Sequence, residues 1–411
     1  MILRLMLFIV VVLLIEFYSF QVVKTLTNVK WVLLSYAVFS VAVILFIAYQ
    51  FLVFDRSVGQ TRMTMLTLAL LLITFLPKIL LTIVLLFEDI FRLLSGSVTH
   101  IISDTKNSSF LPERRKFVSQ MALAFAAIPF GSLIYGMTFG KYNYKVIKQT
   151  VFFPDLPDEF DGFTITQISD VHSGSFDNPE KINYAIDLIN EQNSDIILFT
   201  GDIVNTDAKE MHPWIDTFKR IQEHKYGKYA VLGNHDYGEY VSWPSEAAKE
   251  RNFQAIKNLY GQIGFQLMLN EHTFIERGKD KIALIGVENW GRHFKKAGDL
   301  HKASNGLSEK DFKIVMSHDP SHWDAEINTH PKDFHLTFSG HTHGLQFGIE
   351  IPGFFKWSPA QYVYDQWAGL YEKAGKYIYV NRGFGFHAYP GRVGIMPEIT
   401  VIQLKKGKNV V

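Results

Sequence analysis

Seven side chains able to ligate a hard metal ion fall in five short clusters across the second half of the sequence: Asp170 with His172, Asp202, Asn234, His318, and His341 with His343. Oxygen and imidazole ligands suit divalent ions, and two ions held side by side need at least one carboxylate that can bridge them. In Ser169-Asp170-Val171-His172 two ligands stand one residue apart, a spacing that on an extended backbone points both into one site. Gly201-Asp202 offers a candidate bridge, its glycine permitting close backbone approach. Gly233-Asn234-His235-Asp236 adds an amide oxygen and leaves His235 free for acid or base work, while Gly340-His341-Thr342-His343-Gly344 repeats the alternate-residue spacing. Each cluster alone is weak, since a lone H-x-H is more often a surface or packing feature. Together they make hydrolysis of a phosphate ester the leading expectation: a shared water ionised near neutral pH attacks phosphorus, and His235 protonates the leaving oxygen.

These clusters need elements that bring them together. From about Val151 the sequence alternates short apolar runs, turn residues and amphipathic stretches, the pattern of a mixed sheet covered by helices. Buried strands are expected at Phe163 to Ile168, Ile196 to Phe199, Tyr229 to Leu232, Ile282 to Ile285, Phe312 to Met316 and Leu336 to Phe338. Five of these six end in a polar cluster, and ligands collect at the carboxyl ends of strands in such sheets. A helix is expected over Pro179 to Gln192, with Asn178 before the proline and Ile182, Ala185, Ile186 and Ile189 on one face.

The ordered set D-x-H, G-D, G-N-H-D, S-H, G-H-x-H resembles the calcineurin-like metallophosphoesterase superfamily over roughly residues 160 to 402, and its membrane-attached bacterial phosphodiesterase branch in particular. That branch shares a tail like Asn381-Arg382-Gly383-Phe384-Gly385, Arg392 and Pro397-Glu398-Ile399. The resemblance implies an α/β metallophosphoesterase domain over 151–411, with two mixed β-sheets sandwiched between helices (α/β/β/α). It implies one ion on Asp170, His172, Asp202 and His343, and a second on Asp202, Asn234, His318 and His341, the ions being manganese, iron or zinc. One position departs from the pattern. Where some relatives carry an aspartate that orients the histidine of G-N-H-D, this sequence has Asn205, whose amide can accept from imidazole but brings no negative charge.

Residues 1–140 read differently. Trp31 to Phe54 and Phe117 to Phe139 contain no charge, Met63 to Phe87 is interrupted only by Pro77 and Lys78, and Leu5 to Val23 only by Glu16. Each is close to or beyond the roughly 20 residues that span a bilayer, so about four transmembrane helices are expected. The densest basic cluster, Arg92, Lys106, Arg114, Arg115 and Lys116, precedes the last span; if it is cytoplasmic, the catalytic domain lies outside the cytoplasm. Lys141, Lys145 and Lys148 beyond that span weigh against this. Arg114-Arg115-Lys116-Phe117 reads equally as the core of a twin-arginine export signal or as a basic anchor.

The net charge of +1 gives no reason to expect a nucleic-acid partner, and the absence of cysteine excludes disulfides and thiolate metal sites. The aromatic stretch Phe354, Phe355, Trp357, Tyr362, Tyr364, Trp367 and Tyr371 either meets lipid or packs as a hairpin over a sheet edge. Arg382 and Arg392 either contact a phosphate or pin the last loop. The expected activity is that of a membrane-anchored phosphodiesterase or pyrophosphatase whose phosphate-ester substrate is lipid-linked or nucleotide-linked. The competing readings are a receptor or regulatory module that keeps the fold for binding, and a transporter built on the spans with Glu16 and Lys78 in a cavity.

Overall fold

The computed structural model describes residues 2–102, 112–351 and 353–408 and divides the chain into two units, one of residues 1–54 and 63–135, the other of residues 55–62 and 136–411. Lys106 of the basic cluster lies outside the described residues.

The first unit is helical: α1 (Ile2–Leu26), α2 (Lys30–Leu52), α3 (Arg62–Ile102) and α4 (Pro112–Thr138). Four stretches of these, Met6–Leu26, Lys30–Leu52, Arg62–Leu94 and Arg114–Thr138, are long and apolar enough to cross a membrane. Leu, Ile, Val and Phe side chains stay exposed along them, as lipid-facing surfaces require. Tyr18, Val22, Leu81, Leu85, Ala122 and Ala126 form a common core between α1, α3 and α4. The two charges within the spans meet each other: Lys78 Nζ lies 2.7 Å from Glu16 Oε1, and Ser40 donates to Glu16 Oε2 at 2.6 Å. The two charges thus neutralise each other within the unit. Arg115 pairs with Glu88 and, at 2.7 Å, with Asp89, so the basic cluster before the last span also has acidic partners within the unit.

The second unit is built on two six-stranded sheets and a ribbon. Its strands are β1 (Lys145–Phe153), β2 (Thr164–Ile168), β3 (Ile196–Phe199), β4 (Lys228–Ala230), β5 (Gln266–Leu267), β6 (Glu271–Arg277), β7 (Asp280–Gly286), β8 (Lys313–Met316), β9 (Leu336–Ser339), β10 (Ile349–Ile351), β11 (Phe355–Trp357), β12 (Gly369–Lys373), β13 (Lys376–Val380) and β14 (Glu398–Lys406). The orders are β1-β14-β2-β3-β4-β5 and β12-β13-β9-β8-β7-β6, with β10 and β11 pairing separately. Strands β2 to β5 run parallel, as do β7, β8, β9 and β13, while β14 against β2, β12 against β13 and β6 against β7 are antiparallel. Ile165, Leu198, Tyr379, Ile314, Leu336 and Ile402 share one core, which places it between the sheets.

Helices cover the outer faces. On α5 (Pro179–Asn190) Asn178 caps the first turn by accepting from Lys181 N at 3.1 Å, and the expected stripe of Ile182, Ala185, Ile186 and Ile189 is buried. The short α6 (Ile215–Phe218) precedes α7 (Glu246–Gln262), which Ser245 caps and whose Tyr260 packs on Phe199. Behind the other sheet, α8 (Leu300–Ala303) and the turn Trp323–Ile327 supply Leu300, Trp323 and Ile327 to a second core.

The connection 55–62 falls in the second unit although it lies inside the stretch 1–140. Ser242 N donates to Arg56 O at 3.1 Å, Gln60 Nε2 donates to Ser175 at 3.0 Å, and Ala388 N donates to Gln60 Oε1 at 2.7 Å. Four crossings of a membrane would return this connection and residues 139–411 to one face, as these bonds require.

Candidate metal centre

Strands β2, β3, β4, β8 and β9 deliver one ligand cluster each at their carboxyl ends. All seven expected ligands and His235 converge there. Asp170, His172 and His343 form one group able to hold an ion, Asp202, His318 and His341 a second, and His172, Asp202 and His235 a third. Asp202 thus belongs to both of the last two groups and lies 3.5 Å from His172 Nε2 and 3.2 Å from His318 Nε2. Asn234 completes the set: its Nδ2 donates to Tyr240 at 2.6 Å, leaving Oδ1 3.1 Å from His318 Nε2.

The turns that make this convergence possible are tight. Asp170, His172, Asp202, His341 and His343 all have φ between 47° and 70°. For residues with a Cβ this conformation costs about 1–2 kcal/mol each, and such strain concentrates at functional sites. Local bonds hold it: Asp170 N donates to Gly201 O at 2.9 Å, His172 N to Asp202 O at 3.1 Å, and His341 N to both oxygens of Asp170 at 3.0 Å. A Cβ on Gly340 would collide with Ser169 Oγ and Asp170 Oδ2, so only glycine lets the β9 loop approach the β2 loop.

Three imidazoles are oriented the same way. His318 Nδ1 is 2.6 Å from Thr200 O, His172 Nδ1 is 3.0 Å from Asn205 Oδ1, and His235 Nδ1 is 2.7 Å from Asn205 O. Those oxygens can only accept, so each Nδ1 carries a proton and each Nε2 is turned toward the site, where a metal or a substrate oxygen would meet it. The expected role of Asn205 needs correction here: its side chain serves His172, and its backbone carbonyl, not its amide, orients His235. The turn that follows Asp202 places the carbonyl nearer His235 and the side chain nearer His172.

The electrostatics favour cations. Burial works to raise the Asp202 carboxyl, but His318 and His235 outweigh it and hold it well below the usual range. Burial would lower His318, yet the Asp202 and Asp170 carboxylates push it up to about 10. Burial lowers His172, His341 and His343 and keeps them neutral, as ligands need to be. His343 Nε2 is buried with no hydrogen-bond partner, 3.3 Å from Asp170 Oδ1. Two buried carboxylates, neutral imidazoles and an orphaned ring nitrogen constitute a donor set that fits divalent ions.

Several residues around the centre escape sequence reasoning. Asp236 accepts from the backbone N–H of Asp202, Ile203 and Gly233 and from the Tyr260 hydroxyl, and burial followed by the Asp202 charge pushes it up to about 7. The Tyr364 hydroxyl lies 2.8 Å from His341 Nε2, Asp319 lies 3.5 Å from it, and Tyr240 stacks on His235 at 4.4 Å. His387, beyond the glycine-rich tail, is packed 4.6 Å from the His235 ring and 5.0 Å from that of His172. The G-N-H-D motif was the signal for Asp236, the place after the glycine-rich tail that for His387 and the aromatic stretch that for Tyr364; Tyr240 and Asp319 come from loops with no motif. Arg382 and Arg392 pin the last loop. Arg382 is bound by Glu350 and Glu398, and Arg392 donates to the carbonyls of Gly383 and Gly385 and approaches His343 Nδ1 at 3.0 Å.

Sequence comparison joins both units to one group of proteins. Residues 163–345 match the profile described as "Calcineurin-like phosphoesterase", and residues 2–141 match "Probable Calcineurin-like phosphoesterase, transmembrane domain". The metallophosphoesterase YkuE of Bacillus subtilis (strain 168) is 32% identical over 71% of this chain and 97% of its own length. A metallophosphoesterase of Helicobacter pylori (strain J99) is 24% identical over 97% of both chains. The transmembrane protein with metallophosphoesterase domain of Danio rerio is 26% identical over 66% of this chain and 60% of its own length.

Proposed function

The chain belongs to the calcineurin-like phosphoesterase family, and from that premise we propose that it is a membrane-anchored, two-metal phosphohydrolase cleaving a phosphodiester or pyrophosphate bond. The observation that carries the reading is Asp202, a buried carboxylate common to two metal-capable groups, one with His318 and His341 and one with His172 and His235. Asp170, His172, Asp202 and His343 would hold one ion, and Asp202, Asn234, His318 and His341 the other. When bound, manganese, iron or zinc ions supply positive charge opposite the phosphoryl oxygens and a water acidified from about 15.7 toward about 7.

The chain's own residues do the rest. Asp170 and Asp202 supply the negative charge that retains cations in a buried site. Thr200 and Asn205 hold His318 and His172 with Nε2 inward, so the site is ordered before substrate arrives. His235 keeps its Nδ1 proton on Asn205 O and has Nε2 to exchange a proton with the leaving oxygen, while Tyr240 fixes the plane of its ring. We place this domain outside the cytoplasm, on the face opposite the basic residues Arg92 of α3 and Arg114 and Arg115 of α4.

The test is turnover of a water-soluble aryl phosphodiester by the purified full chain with manganese or with a chelator, beside Asp202→Asn. Turnover that needs manganese and is lost in the variant is expected. Chelator-resistant turnover, or a variant as active as the wild type, contradicts the reading.

A further inference from the structure

The ribbon of β10 and β11 carries its charges inward and its apolar side chains outward, the reverse of what a water-facing ribbon needs. Side chains alternate along a strand, so Glu350 and its cross-strand partner Lys356 share one face, and Ile349, Ile351, Phe355 and Trp357 share the other. The charged face is fastened to the domain. Glu350 Oε1 lies 2.6 Å from Arg382 Nη2, and Lys356 Nζ lies 4.8 Å from the ring centroids of both Trp367 and Tyr371. Ile349, Ile351 and Phe355 remain about half exposed, and Phe354 at the turn is 86% exposed.

This patch adjoins both the metal centre and the end of the last span. Ser358, just past β11, donates to Gly344 O at 2.6 Å, and Tyr364, beside the exposed Tyr362 and Val363, reaches His341. At the base of the ribbon Gly348 N donates to Val393 O at 2.9 Å, and Arg392 N donates at 3.1 Å to Gly136 O. Gly136 is in the final turn of α4, where a Cβ would meet Val393 at 2.7 Å. Within the second unit, therefore, two hydrogen-bonded steps separate the ribbon from the helix that enters the bilayer.

We infer that the β10–β11 ribbon, with Phe354 at its tip, inserts into the interfacial zone of the membrane that the four spans cross, so that the His/Asp centre opens at the lipid surface. Apolar and aromatic side chains gain by entering the headgroup–acyl boundary, and the chain that carries the ribbon is tethered to the membrane by its spans. Lipid is the occupant the observations favour, because the base of the ribbon is bonded through Val393 and Arg392 to Gly136 in the last turn of α4 and the ribbon's charges are turned away from the patch. If the centre is the phosphohydrolase proposed above, on which this further step rests, its substrate is an amphiphile with its phosphate ester at the bilayer surface and its apolar part among the lipids.

The chain has no cysteine, so Phe354→Cys gives the full-length protein a unique spin-label site. In proteoliposomes of phosphatidylethanolamine and phosphatidylglycerol, its label should relax more with oxygen than with chromium oxalate. The reverse is expected at Glu223→Cys, an 82% exposed position before β4, at the end of the sheet away from the ligands. A Phe354→Cys label as open to chromium oxalate as that at position 223 overturns the inference, and so does dipolar broadening between labels, which would make the patch a contact between copies. Phe354→Asp reads the functional consequence. It should retain turnover of a soluble aryl phosphodiester and lose about tenfold on an amphiphilic phosphodiester in the same bilayers. Equal loss on both substrates contradicts the surface role. Absence of turnover by the wild type counts against the hydrolase reading, while the label measurement still decides the insertion.

Discussion

His172 and His235 divide Asn205 between them, one taking its amide oxygen and the other its carbonyl, and this division separates two predictions. Asn205→Ala removes the oxygen that fixes the His172 tautomer but keeps the carbonyl that orients His235. Manganese affinity, measured by titration of the metal-free chain, should fall by roughly 10–100-fold. Asn205→Asp restores an acceptor and should recover most of it. His235→Ala instead leaves the ligand set whole, so metal content should stay at the wild-type level while kcat falls by about 10²–10⁴. If His235→Ala loses its metal, His235 is a ligand rather than a proton donor. That the seven expected ligands and His235 would meet was legible in the sequence, because ligand chemistry restricts residue type and strand ends restrict position. Tyr240 and Asp319 were not, because what makes them relevant is contact across loops that no short motif encodes, while His387 was marked only by its place after the glycine-rich tail and Tyr364 only by the aromatic stretch around it.

At the scale of elements, the strands that carry ligands were the easiest to read: β2, β3, β8 and β9 are short buried runs with a turn after each. The edge strands β1, β6 and β12 were missed because their exposed positions break the apolar run, and α7 because its sequence is polar apart from a narrow stripe with Ile256 and Leu259. The loops between strands set the site, and Gly340 is one of the tight points within them. Gly340→Ala should lower stability by about 1–3 kcal/mol, read as the thermal midpoint of the detergent-solubilised chain, and should impair metal retention, since the new methyl would displace Ser169 and Asp170. Beyond β3, Glu210 accepts from Asn205 N and Asp207 N, and burial pushes its carboxyl up to about 7 from 4.5. Its raised folded value means the folded state binds the extra proton, so this contribution to stability is complete below pH 4.5 and is lost as pH rises through about 7. In metal-free protein Glu210→Gln should flatten the stability–pH slope over that window by up to about 1.4 kcal/mol per pH unit. An unchanged slope would show that Glu210 does not titrate there.

For the whole molecule, four apolar helices and a hydrolase-like domain were both evident from composition, but the membership of residues 55–62 in the second unit was not, since it depends on hydrogen bonds from Gln60 to loops more than a hundred residues away. That membership makes a topological prediction. Single cysteines at Ser57 and at Lys408 should react with an impermeant maleimide from the same side of the membrane, outside the cytoplasm, and a cysteine at Asn28 from the other. Labelling of positions 57 and 408 from opposite sides would break the four-span arrangement, and labelling of both only from the cytoplasm would reverse the orientation proposed. The central claim, a hydrolytic centre of two ions joined by Asp202, is tested most directly by adding manganese stepwise to the metal-free full chain while counting bound ions and following aryl phosphodiester turnover. Activity should reach its plateau at two ions per chain in the wild type and stay at background in Asp202→Asn at any loading. A plateau at one ion per chain, or turnover with none, would contradict it.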